Sequence, residues 1–271
     1  MNNGRWAAVV VLAVSGALVS GCGGRPGPGL HGRDVDSSGN GLAAYQEAVR
    51  LNPDDAEAHY NLGATYGELG RYEEAIAAYQ EAIRFNPDYA WAHCNLGVAY
   101  GELGRYQEEI AACQEAIRLQ PDLADAHTNL GFAYGKLGRY QEEIAADQEA
   151  IRLQPDYVEA HYNVGVAYGN LGRYEEAIAA FKNAIRLKPD EPDAHYGLGL
   201  TYGHLDRYQE AIAAYQEAIR LKPDYAEAHY NLGLAYLAIG DRGEALEEYR
   251  VLQDLYPSRA ATLLARISPS E

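Results

Sequence analysis

Six histidines stand in register at His59, His93, His127, His161, His195 and His229, each 34 residues after the last. Imidazole is both the commonest metal ligand and the side chain that changes charge near neutral pH, so such a column raises two chemistries at once. A metal ion needs its ligands within a few ångströms of one point. Equivalent positions of stacked helical units lie about 10 Å apart, so no metal is expected. The rings read as packing residues with a hydrogen bond at one edge, which should soften the fold below about pH 6, where buried neutral rings must charge. Paired acids at Glu73-Glu74, Glu108-Glu109, Glu142-Glu143 and Glu175-Glu176 are the next candidates for proton chemistry; they read as solvated first-turn residues of helices. The chain has no Gly-x-Ser-x-Gly elbow, phosphate loop, Cys-x-x-Cys or His-Glu-x-x-His, so no catalytic residue, cofactor or small-molecule substrate is expected.

The same period governs the elements that carry these residues. Prolines recur at Pro53, Pro87, Pro121, Pro155, Pro189, Pro223 and Pro257. A fixed repeat of 20–50 residues marks stacked units, and about 34 suits a pair of helices. In each unit Asp54 or its equivalent is placed to cap a first helix, A, whose stripe is Leu62, Tyr66 and Leu69. Gly70, Gly104, Gly138, Gly172 and Gly240 stop helix A with a left-handed residue, and Asp206 takes that place once. Helix B then runs from about Tyr72 to Arg84 with Ala75, Ile76, Tyr79, Ala82 and Ile83 inward, and the next proline forbids its continuation.

The order His59, Leu62-Gly63, Tyr66, Ala75, Tyr79, Pro87 resembles the tetratricopeptide repeat, with His in place of the usual bulky apolar residue at the fourth position. The resemblance implies an all-α fold, a right-handed α-α superhelix of helix-turn-helix repeats. It divides the chain into a half repeat (41–55), six full repeats (56–89, 90–123, 124–157, 158–191, 192–225 and 226–259) and a C-terminal capping helix and tail (260–271). It also implies a concave groove lined by the A helices that holds extended or helical peptides. Carried across position by position, that lining comprises Asn61, Asn95, Asn129, Asn163 and Asn231, similar to the asparagine ladder of O-linked N-acetylglucosamine transferases. The alternative is that asparagine is simply frequent there. Beside it lie Tyr60, Tyr162, Tyr196 and Tyr230, an apolar floor that includes Phe132, and Trp91 as the strongest single anchor. The Lys/Arg cluster with which chaperone-cofactor arrays clamp a terminal carboxylate is missing, and Glu68 and Glu102 make the rim negative, so a neutral to basic peptide is expected.

At the N-terminus Arg5 precedes an apolar run from Trp6 to Val19, the form of a secretory signal and short for a membrane span. Val19-Ser20-Gly21-Cys22 resembles the bacterial lipobox, which implies a signal peptide at 1–21, lipidation of Cys22 and a Gly/Pro-rich tether over 22–40. An ordinary cleaved signal and an uncleaved anchor are the alternatives. Gly23 lacks the acidic residue of an inner-membrane retention signal, so the resemblance points to the outer membrane, facing the periplasm. A formal charge of −17 repels phosphates, so nucleic acid is not expected as a partner. Cys94 and Cys113 read as small apolar substitutions, with a bridge between them as the alternative, and Asp147 stands in an otherwise aromatic slot. The expected function is a lipid-anchored, non-catalytic scaffold that binds proteins or peptides, by analogy in pilus assembly or recruitment of peptidoglycan enzymes. A self-assembling array, or a secreted or inner-membrane-anchored adaptor, is the alternative.

Overall fold

The computed structural model describes residues 40–268; among these all regular structure is helical, in fourteen α-helices with no strand. The expected signal peptide, Cys22 and the tether lie outside the described residues. Helix α1 (Asn40–Leu51) stands alone. Then come the pairs α2 (Ala56–Glu68) and α3 (Tyr72–Phe85), α4 (Ala90–Glu102) and α5 (Tyr106–Leu119), and α6 (Ala124–Lys136) and α7 (Tyr140–Leu153). Three more pairs follow: α8 (Val158–Asn170) and α9 (Tyr174–Leu187), α10 (Pro192–His204) and α11 (Tyr208–Leu221), and α12 (Ala226–Ala238) and α13 (Arg242–Leu255). Helix α14 (Pro257–Ile267) closes the series one turn earlier than the sequence suggests, because Pro257 itself takes the first helical position. The helices fall into two compact units, one ending at Ala160 and one starting at His161. Within each, an A helix packs on its own B helix and each B helix on the next A helix.

The turns follow the punctuation of the sequence, with one correction. Gly70, Gly104, Gly138, Gly172 and Gly240 have φ between 69° and 88°, and Asp206 adopts φ 57° at the equivalent fifth stop. At the other end, Asp55 rather than Asp54 caps α2, accepting from the N–H groups of Glu57 and Ala58 at 2.9 and 3.1 Å. Asp54 lies in the turn that Pro53 begins, so the helix starts one residue later. Helices α4, α6, α10 and α12 follow Tyr89, Leu123, Glu191 and Tyr225, which supply no side-chain cap. Their starts are held by packing.

The core sits where A and B helices cross. In the first full repeat Ala75, Tyr79 and Ala82 are buried on α3, and the Tyr79 ring lies on Gly63 so closely that a Cβ there would stand 2.8 Å from it. Phe181 and Tyr215 lie on Gly165 and Gly199 in the same way. In the last repeat Leu263 of α14 covers Gly233, so the capping helix supplies a side chain to the site that a helix B ring fills at Gly63, Gly165 and Gly199.

Candidate functional site

The histidine column has a structural role. Each of His59, His93, His127, His195 and His229 sets its Nε2 at 2.9–3.1 Å from the carbonyl of the proline six residues earlier, tying helix A to the corner before it. Among the described residues no group of three or more side chains is arranged to hold a metal ion. His229 is special in that its Nδ1 also meets Glu248 Oε2 at 2.6 Å. Its burial opposes protonation, but the Glu248 carboxylate and the Pro223 carbonyl outweigh that and raise its pKa. His204, exposed but stacked on Tyr174, has its pKa lowered by the desolvation of its ring.

The asparagines form a ladder, but between repeats. Asn95 Nδ2 donates to the Tyr60 hydroxyl at 3.0 Å, and Asn231 Nδ2 to that of Tyr196 at 2.9 Å. Asn129 reaches Cys94 Sγ at 3.5 Å, since cysteine replaces the tyrosine there. Asn95, Asn129 and Asn231 are buried, while Asn61 and Asn163 are half-buried. A buried amide seeks its partner inside the fold, and here that partner is the previous A helix. Tyr60, Tyr162 and Tyr230 are likewise buried, not groove-lining as the sequence suggests. Burial lifts the Tyr60 hydroxyl to about 12. Tyr196 is half-buried against Tyr215 and Tyr225. Trp91 is a correction too: it is half-buried in the seam between the first two full repeats, packed on the clusters around Tyr60 and Cys94. Cys113 is a buried free thiol, so no bridge joins it to Cys94.

What stays accessible on the A helices of the first unit is a strip one turn further along. Ala64, Val98 and Phe132 are half-buried on it, and Glu68, Glu102 and Lys136 are exposed at its edge. Phe132 meets Tyr106 edge-on at 6.5 Å, and the Lys136 ammonium stands 4.9 Å above its ring. In the second unit Val166 is half-buried as well, but the equivalent Leu200 and Leu234 are buried, so the strip is more open in the first.

Two of the acids expected in solvent are inside. Glu109 and Glu143 are 1% and 5% exposed, and Oε2 of each has no hydrogen-bond partner. A Cβ on Gly101 would stand 2.5 Å from Glu109 Oε2, and one on Gly135 2.6 Å from Glu143 Oε2, so each carboxyl lies against the bare backbone of its own A helix. Burial, then the Glu102 carboxylate, pushes the Glu109 pKa up to about 8 against the pull of Lys136. Burial alone outweighs Lys136 at Glu143, also raised to about 8. The signal was in the alignment: Gln107-Glu108-Glu109-Ile110 stands where Glu73-Glu74-Ala75-Ile76 does, so the second acid occupies the crossing alanine's place. Glu108 and Glu142 do sit in solvent, paired with Arg105 and Arg139. The second change lies one helical turn on, where Cys113 and Asp147 replace the ring and are fully buried over Gly97 and Gly131. Around Glu109 a cavity of about 270 Å³ opens among Val98, Gly101, Glu102, Tyr106, Phe132 and Lys136.

The arrangement has known counterparts. A family model described as TPR repeat matches residues 42–70, 66–104 and 102–138. A second, described as Tetratricopeptide repeat, matches 128–192, 162–226 and 196–260. No curated protein sequence is significantly similar to the chain. Among solved structures, the APC/C hetero-tetramer Cut9-Hcn1 aligns over 85% of this chain at 23% identity and TM-score 0.70, and the match spans only 46% of that chain. YrrB, a TPR protein with an unusual peptide-binding site, aligns over 69% of this chain and 96% of its own at 26% identity and TM-score 0.57. PilW, a widely conserved type IV pilus biogenesis factor, aligns over 77% and 98% at 22% identity and TM-score 0.71, a likeness of fold. Among the described residues no helix is long and apolar enough to cross a membrane.

Proposed function

The chain belongs to the tetratricopeptide repeat family, and from that premise we propose that it is a non-catalytic scaffold that binds segments of partner proteins on its A-helix face. The observation that carries this is the open strip of the first unit, where Ala64, Val98 and Phe132 keep part of their apolar surface in solvent beside exposed Glu68 and Glu102. A peptide lying there covers apolar area and meets acids, which favours a neutral to basic segment. YrrB, with its peptide-binding site, supports the mode of use. We further propose that Cys22 carries a lipid and holds the scaffold at the outer membrane, in the periplasm. This rests on the lipobox-like Val19-Ser20-Gly21-Cys22, and the process is envelope assembly by analogy of architecture with PilW.

Capture from envelope extract tests the face. Full-length protein should retain a partner that the charge reversal Glu68→Lys/Glu102→Lys loses, with the melting temperature unchanged because both residues are exposed. Equal capture of every protein by both forms removes the strip as the working surface. Cys22→Ser should move the chain from the membrane pellet to the soluble fraction; continued pelleting rules out the lipid.

A further inference from the structure

We propose that the notch between α4, α5 and α6 is a socket for the guanidinium of an arginine on a partner chain, with Glu109 as its floor and Glu102 as its rim. The proposal rests on the scaffold reading above and names a subsite within it.

The first observation is a carboxyl group in a place that does not need one. Four other repeats set alanine at this crossing, as Ala75, Ala177, Ala211 and Ala245, each fully buried. Glu109 is 1% exposed, its Oε2 has no hydrogen-bond partner and lies against Gly101, and the residue lines the cavity of about 270 Å³. A buried acceptor without a partner costs the fold, and such a cost concentrates where a ligand supplies the missing bond. The second observation is the shape and chemistry of the walls. Gly101, lacking a Cβ, lets the carboxyl lie flat against bare backbone on one side, while Tyr106 and Phe132, edge-on at 6.5 Å, offer ring surface on the other. A ring face attracts a cation, and the Lys136 ammonium already rests 4.9 Å over Phe132. Lys136 makes no ion pair with Glu109, and as an exposed side chain it can swing away. A planar guanidinium matches these features: parallel N–H donors for the carboxylate and a flat face for the rings.

The charged and titratable groups that face Glu109 are Glu102 from α4, Lys136 from α6, and Tyr106 and Cys113 from α5 itself. Because Glu109 holds its proton up to about pH 8, entry of a guanidinium displaces that proton to solvent. Affinity therefore rises with pH and levels off above the pKa of Glu109.

The test titrates full-length protein with N-acetyl-arginine-methylamide and with its citrulline counterpart, which has the same outline without the charge. The carboxyl carbon of Glu109 is followed by NMR, and the heat of binding is measured in two buffers of different ionisation enthalpy. The arginine probe should bind about tenfold or more tightly than citrulline, the worth of one charge-assisted pair, and should release a proton at pH 7. Glu109→Gln should weaken it by about the same factor, Lys136→Ala should strengthen it, and exposed Glu74→Gln should change nothing. Equal binding of both probes, no movement of the Glu109 signal, or an unaltered affinity in Glu109→Gln overturns the socket. Should Glu109→Gln fold poorly, a pH-independent affinity in the wild type decides against it equally. Capture of the envelope partner separates this from the broader reading. A partner still retained by folded Glu109→Gln removes the socket and leaves the scaffold standing. Specific arginine binding by a chain that captures no partner does the reverse.

Discussion

The repeats at 56–89 and 90–123 share a unit, a backbone and a period, yet they fill the crossing of their two helices differently. In the first, Ala75 allows close approach and Tyr79 covers Gly63 with a ring. In the second, the Cys113 sulfur sits on Gly97 without the bulk of a ring, and bulk returns one helical turn earlier as Glu109 against Gly101. The third repeat makes the same exchange with Asp147 and Glu143. The total side-chain volume is similar, but an apolar contact has become a buried acid. A repeat fold tolerates this because each unit contacts only its neighbours, so two deviant repeats are carried by the regular ones around them.

The largest effect should come from removing the ring that the regular repeat depends on. Tyr79→Ala should cost about 3–5 kcal/mol in urea unfolding. The same truncation at Cys113 should cost about 1 kcal/mol or less, since one sulfur is lost. The converse experiment converts the second repeat into the first: Glu109→Ala/Cys113→Tyr should stabilise by about 1–3 kcal/mol by removing a bare buried carboxyl. Cys113→Tyr alone should destabilise through overpacking. If the double variant is no better than the single one, volume exchange is not what links the two positions.

A pH series sharpens the comparison. Glu109 and Glu143 titrate near 8 when folded, against 4.5 as the ordinary value. Below about 4.5 both states hold the protons; between 4.5 and 8 the unfolded chain releases them and the folded one does not, so stability falls as pH rises and levels off above 8. The loss from pH 5 to pH 8 should shrink by about 2 kcal/mol or more in Glu109→Gln/Glu143→Gln. This is opposite in direction to the acid softening that the histidine column suggests from sequence. His229, raised by Glu248, also favours low pH: its contribution is complete below about 6.5 and is lost as pH rises through its folded pKa. His204, lowered by desolvation, works the other way and gives the softening on acidification.

Smaller differences test the ladder. Asn95→Ala should cost about 1–2 kcal/mol by leaving the buried Tyr60 hydroxyl without its donor. Asn61→Ala, half-buried, should cost less than about 0.5 kcal/mol. Equal values would show that the amides are not held by neighbouring repeats. Smallest of all should be Arg71→Ala: its pair with Glu74 is largely exposed, and such pairs add little measurable stability.

The period of 34, the left-handed stops at Gly70 and Asp206, the helix pairs and the capping helix could all be read from the chain. Each depends on residues near one another in sequence: a glycine at a turn, a proline at a corner, a stripe at helical spacing. The fate of Asn95, Tyr60 and Trp91 could not be read that way, because their burial depends on a neighbour about 35 residues distant. Glu109 shows the division most sharply. Its local pattern is that of a solvated first-turn acid, and only the approach of α4 and α6 takes it out of water. Local propensity can be summed along a chain; burial of a charge depends on what packs against it, and that is a property of the folded stack.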